Sequence, residues 1–216
     1  MAVIEQLSVG KTAIMKKIIA TLLVTAAGLA ASPASAQSVT GTVNVTGTVN
    51  ARCSVVAPGG ATEVQTFSGT IDLQRLDAAD GTLRGSLATS TAATPADNLT
   101  VATRVMCNTA NPTIGVIATP LNTGGATAAG AGYSNDINYT AQVKVNTASG
   151  TPKMVTYSTA VGGAAATAQL GERMAGGSAN NVSVSVFGLA AKGGATSLLA
   201  EGKYTSVVTV TINPTL

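Results

Sequence analysis

The sequence predicts an all-β domain, and two observations carry the prediction. Beyond residue 36 no window keeps an apolar period near 3.6, whereas several alternate strictly between apolar residues and Thr, Ser or Asn, the period of a strand with one buried face. The composition, with 24 Gly, 3% aromatic and 10% charged residues against 45% apolar, leaves the core to Val, Ala, Ile and Leu and so favours thin, closely packed sheets. The same balance argues against intrinsic disorder, which needs high charge and few apolar groups.

The first element is a leader. From Met15, the pair Lys16–Lys17, the apolar stretch Ile18 to Ala31 and the small residues Ala34 and Ala36 around Ser35 occur in the order of a secretory signal peptide, with cleavage expected before Gln37. The apolar run is too short for a comfortable transmembrane span. Residues 1–14 lie outside the pattern, so translation is expected to start at Met15. Cleavage removes Lys11, Lys16, Lys17 and Glu5, and the net charge falls from +3 to +1. No Lys/Arg stripe remains and the basic groups are not interleaved with aromatics, which leaves nucleic-acid binding without support. The fragment Ser8 to Thr12 imitates the end of a phosphate-binding loop, but Glu5 stands where its first glycine belongs.

After the leader the clearest strand is the stretch from Ser38 to Val56. Val39, Gly41, Val43, Val45, Gly47, Val49, Ala51, Cys53 and Val55 share one phase, and the other holds Thr, Asn and Arg52. One small, apolar face is expected to be buried and the other wet. Further strands are expected at Thr66 to Leu73, Leu99 to Cys107, Pro112 to Ala118, Asp136 to Val145, Met154 to Thr159, Asn181 to Leu189 and Tyr204 to Asn213. The small-residue stretches 122–132 and 160–168 read as loops, and a short helical turn fits between Leu76 and Ala93. About seven short strands at these spacings suggest an antiparallel β-sandwich of immunoglobulin-like type, with a jelly roll as the rival. The mature part has about 180 residues, enough for one domain burying roughly 70% of its unfolded surface.

Absent residues narrow the chemistry. With no His, the Ser-His-Asp and Cys-His mechanisms and His-ligated metal centres are excluded. Neither S-x-x-K nor G-x-S-x-G stands in the mature chain, so an enzyme is not expected. No Trp, four Tyr and two Phe make a poor supply of platforms for a carbohydrate-binding domain. Glu63, Asp72, Asp77 and Asp80 form a loose acidic stretch without the spacing of a calcium loop. Glu172 and Arg173 read as a solvated turn, so neither metal nor cofactor is expected. Cys53 and Cys107, an even pair in an exported chain, read as a disulfide, and closing that loop contributes about 4 kcal/mol in the chain-entropy model.

Three features coincide: the alternating N-terminus that ends in Cys53, a second strand-borne cysteine in Arg104-Val105-Met106-Cys107-Asn108, and the chain end from Glu201 to Pro214. Together they resemble the spore coat protein U domain family, which includes the pilin subunits of archaic chaperone–usher fimbriae. In that family the two cysteines are disulfide-linked and a Gly-x-Tyr turn leads into the final Thr/Val strand, as Gly202, Lys203 and Tyr204 do here before Ser206 to Ile212. The resemblance implies an immunoglobulin-like sandwich without its last strand, over residues 51–216, and an N-terminal donor strand over residues 37–50. A periplasmic chaperone would first complete the fold. An outer-membrane usher would then exchange its strand for the donor of the next subunit, giving a head-to-tail fimbria on the cell surface that serves adhesion and biofilm formation. The donor would project Val39, Gly41, Val43, Val45 and Gly47. The acceptor groove would lie along Tyr204, Val208, Val210 and Ile212, or along the alternate phase with Val207; the sequence does not choose. The competing expectation is a self-contained secreted coat or surface domain that uses the alternating N-terminus in its own sheet, and Tyr204 reads as a strand-corner core residue rather than a ligand contact.

Overall fold

The computed structural model describes residues 41–56, 63–124 and 132–215. The leader at 15–36, the segment 1–14 and Val39 lie outside them. The chain divides into two units, Met1–Thr46 and Gly47–Leu216. In the first, residues 41–46 carry no regular structure and are exposed.

The second unit is all-β. Its strands are β1 (Cys53–Val56), β2 (Glu63–Val64), β3 (Thr100–Thr103), β4 (Val105–Cys107), β5 (Thr113–Ala118), β6 (Leu121–Asn122), β7 (Tyr133–Ser134), β8 (Asp136–Val145), β9 (Lys153–Ser158), β10 (Ala166–Gln169), β11 (Val182–Ala191), β12 (Leu198–Leu199) and β13 (Val208–Asn213). They form antiparallel sheets in the orders β2-β1-β4, β10-β5-β13 and β3-β11-β8-β6, with β9 also on β8; β7 and β12 make a two-residue parallel pair.

The sheets share one core. Ile114 and Val116 from β5, Ile137, Val143 and Val145 from β8 and Val182 and Leu189 from β11 are almost completely removed from water. β8 and β11 are central strands that alternate: Ile137, Tyr139, Ala141, Val143 and Val145, and Val182, Val184 and Val186, turn to the core, and polar residues such as Asn138, Thr140, Ser183 and Ser185 take the other face. A single helical turn, α1 (Gly85–Ala88), plugs one end with the fully buried Leu87.

Several expectations change. Of the expected strand from Ser38 to Val56, residues 38–40 lie outside the described ones, residues 41–52 carry no strand, and the strand begins at Cys53; residues 41–50 are exposed. Thr66 to Leu73 runs alongside the core with no ladder among the described residues. Leu99 to Cys107 is two strands in two sheets, divided at Arg104. The loop expected at 160–168 ends in β10, where half-buried Ala166 and Ala168 alternate with exposed Thr167 and Gln169 against β5. The other expected loop begins with the last residue of β6, and its residues 125–131 lie outside the described ones.

Candidate functional site

The last strand leaves one edge open. Val208, Val210 and Ile212 are half-buried and packed on the core, Thr209, Thr211 and Asn213 are exposed, and Val207 is 65% exposed. The inward phase is therefore that of Val208, Val210 and Ile212. The pairing Val208↔Ala118, with Thr119 N–H donating to the Val207 carbonyl at 3.1 Å, turns the backbone groups of Thr209, Thr211 and Asn213 towards β5. Those of Val208, Val210 and Ile212 point the other way. Among the described residues no strand pairs with that edge, since β13 ends its sheet.

An apolar groove runs beside it. A hollow of about 430 Å³ lies between Val208 and Val210 on one side and Phe67, Ile71 and Leu73 on the other, with Tyr139, Val184 and Val186 also lining it. It continues into a second hollow of about 360 Å³, between Cys53 to Val55 and Val210 to Ile212, sharing Phe67, Val208 and Val210 with the first. The Phe67 side is held from behind. Arg84 donates from Nη2 to the Leu73 carbonyl at 3.1 Å and to Asp97 Oδ2 at 2.6 Å. A Cβ built on Gly69 would lie 2.4 Å from Cγ1 of Val101, so only glycine lets this segment approach β3 so closely.

Two tyrosines brace the segment that leads into β13: Tyr139, which lines the first hollow, and Tyr204, which lines neither. Ser206 donates its hydroxyl to the Thr119 carbonyl at 2.6 Å, and so receives the hydroxyl proton of Tyr139, whose pKa burial pushes up. Tyr204 is half-buried against the core; its hydroxyl donates to the carbonyls of Ser134 at 2.8 Å and Ala200 at 3.1 Å, and burial raises its pKa also. Both hydroxyls stay neutral at physiological pH and serve as structural donors.

Cys53 and Cys107 form a disulfide. They face each other across β1 and β4 at a non-hydrogen-bonded position, because the flanking bonds Asn108 N–H to Arg52 O and Val56 N–H to Arg104 O fix the ladder's phase. That position brings the Cα atoms to 4.1 Å and places Cys53 on the groove's lip.

Of the expected donor residues, Val39 lies outside the described ones. Gly41, Val43, Val45 and Gly47 are exposed, Val43 by 84% and Val45 by 91%, and a Cβ on either glycine would meet open space. Phe67, Ile71, Leu73, Tyr139, Val184 and Val186 were not among the expected site residues; each sits in an expected strand, but only pairing across the fold brings them to one groove.

The acidic stretch is occupied locally. Asp77 pairs with Arg75 at 3.0 Å and Asp80 accepts the Thr82 N–H and hydroxyl, and these bonds hold both carboxyls below their usual range. Glu172 accepts the N–H and hydroxyl of Ser149, and these bonds, with a smaller contribution from the Arg173 charge, likewise lower its pKa. Among the described residues no group of three or more Cys, Asp or Glu could hold a metal ion, and no helix is long and apolar enough to cross a membrane. Comparison with protein-family models, curated proteins and solved structures finds no match to this chain.

Proposed function

We propose that the chain is an exported structural subunit of a chaperone–usher fimbria, similar to the spore coat protein U domain pilins. Its domain is then an immunoglobulin-like sandwich that lacks its last strand. The observation that carries this reading is the edge of β13, unpaired among the described residues, beside an apolar groove, in a chain whose N-terminal stretch has the alternation of a strand and is exposed over residues 41–50. A strand laid in the groove would bond to Val208, Val210 and Ile212 through its backbone and seat alternate side chains against Phe67, Ile71, Val184 and Val186.

The donor is residues 37–48 of another subunit, supplied after a periplasmic chaperone has held the groove and an outer-membrane usher has exchanged the strand. Each subunit gives to one neighbour and receives from another, so the polymer is open and head-to-tail. It carries no cofactor, and its role is structural support for adhesion and biofilm formation. A self-contained surface domain fits less well, because its N-terminal alternation would close its own sheet, whereas residues 41–50 are exposed.

The test is assembly of the chain from Gln37 in a periplasm with and without its chaperone and usher, followed by sizing chromatography and negative-stain microscopy. A soluble chaperone complex that converts to thin filaments is expected. Val43→Asp should abolish the filaments, since a carboxylate entering the groove would lose its water at a cost of several kcal/mol. A stable, chaperone-independent monomer, or normal polymer from Val43→Asp, would overturn the reading.

A further inference from the structure

The N-terminal extension leaves the domain through a side-chain clamp. Asn108, directly after β4, donates its backbone N–H to the Arg52 carbonyl at 3.1 Å, accepts the Arg52 N–H on Oδ1 at 2.7 Å and donates from Nδ2 to the Asn50 carbonyl at 2.7 Å. A primary amide has the acceptor and donor of a peptide unit. Asn108 therefore adds a rung to the β1–β4 ladder where its backbone partner has run out, and it keeps residues 50–52 extended in line with β1.

The place of this clamp decides where the extension can go. Val49 and Ala51 share a hollow with Thr215, beyond the C-terminal end of β13, while Cys53 to Val55 face Val208, Val210 and Ile212 across the groove. β1 and β13 thus run antiparallel on the two sides. The groove lies ahead of Asn50 in the chain direction, and the extension departs behind it. To enter the groove of its own domain the extension would have to reverse at once, beside a residue held straight, and lie antiparallel to its own β1. A second copy can present the same residues from outside with no reversal.

We infer that Asn108 is a positioning residue that commits the N-terminal extension to the groove of a second copy of this chain and prevents insertion into its own. This rests on the strand-donation reading above. Loss of the amide releases the Asn50 carbonyl and the Arg52 N–H, while the backbone bond from Asn108 to the Arg52 carbonyl stays; the chain can then turn at Asn50, and the tethered donor, at high effective concentration, competes with the neighbour's.

The experiment compares the oxidised chain from Gln37 with Asn108→Ala and with a variant carrying Gly-Ser-Gly-Ser between Val49 and Asn50, which leaves the clamp and the core untouched. Each is refolded from denaturant and separated by sizing chromatography, and its monomer is offered a fluorescent peptide of residues 37–50. The wild-type chain should polymerise or bind the peptide. Both variants should raise the fraction of monomer that refuses the peptide by about tenfold, the weight of one or two backbone hydrogen bonds. Should Asn108→Ala fail to fold, Asn108→Asp decides in its place, since it keeps an acceptor for the Arg52 N–H and loses the donor to the Asn50 carbonyl: a rise supports the inference and no rise overturns it. Variants that polymerise like the wild type overturn the clamp's role and leave strand donation standing. A wild-type chain that neither polymerises nor binds the peptide removes strand donation itself, and this inference with it.

Discussion

Asn181 holds the point where the chain changes sheets. Between β3, which pairs with β11, and β4, which pairs with β1, the backbone at Val105 leaves one ladder before it is fully in the other. Asn181 closes the gap: its Oδ1 accepts the Val105 N–H at 2.8 Å, and its Nδ2 donates to the carbonyls of Val105 at 2.7 Å and Ala175 at 2.9 Å. Its own N–H donates to Thr103 O, so one residue spans both sides of the switch. Asn181 and Val105 are buried, and water cannot take over those bonds. Asn181→Leu, branched alike but unable to bond, should therefore lower the stability of the oxidised chain by about 3 kcal/mol, from buried backbone groups left without partners. The midpoint of urea unfolding checks it; a change below about 1 kcal/mol would mean that the switch is satisfied in another way.

At the scale of elements, β13 has two unlike edges. The N–H of Thr211 is committed to β5, whereas that of Val210 faces the groove. Proline removes an N–H and is tolerated in a sheet only where that N–H is not in a ladder. Thr211→Pro should unfold the domain, while Val210→Pro should keep its β circular dichroism and its disulfide but bind a peptide of residues 37–50 at least about tenfold more weakly, through one lost rung. Equal damage from the two would contradict the edge assignment. The long strands were legible because they hold enough alternation to define a phase: Asp136 to Val145 has the bounds read from sequence, and Pro112 to Ala118 differs by a residue. The two-residue strands β2, β6, β7 and β12 are too short to carry a period. Leu99 to Cys107 reads as one strand because Val101, Thr103, Val105 and Cys107 keep a single phase through Arg104 while the ladder partner changes from β11 to β1, a change that leaves no mark on the pattern. On the β13 side of the candidate site the strand was legible but its inward face was not, because Val207 and Val208 put an apolar residue in each phase. The opposite side of the site was not legible, because Phe67, Ile71 and Leu73 meet β13 only through tertiary packing and Arg84's hold on the Leu73 carbonyl.

For the whole molecule, the segment from Thr66 to Leu73 and the outer edge of β13 pose one question. The segment has the sequence of a strand and its apolar phase faces the core, yet among the described residues it has no ladder and β13 has one on one side only; an apolar groove separates the two. An unpaired edge beside apolar side chains is what sheet proteins ordinarily cover. A single added strand would satisfy both, bonding to Val208, Val210 and Ile212 on one side and to the segment on the other. Amide hydrogen exchange reads this residue by residue, because exchange follows the opening of each hydrogen bond. In the oxidised chain lacking residues 37–48, the amides of Thr209 and Thr211 should exchange slowly, being bonded to β5, and those of Val208, Val210 and Ile212 quickly. Adding the peptide of residues 37–50 should slow Val208, Val210 and Ile212, together with amides between Phe67 and Leu73, and leave Thr209 and Thr211 nearly unchanged. That alternation distinguishes strand insertion from general tightening, which would slow neighbours alike. Peptide bound without protection at Val208, Val210 and Ile212 would place it elsewhere on the surface and leave the edge of β13 without a function in assembly.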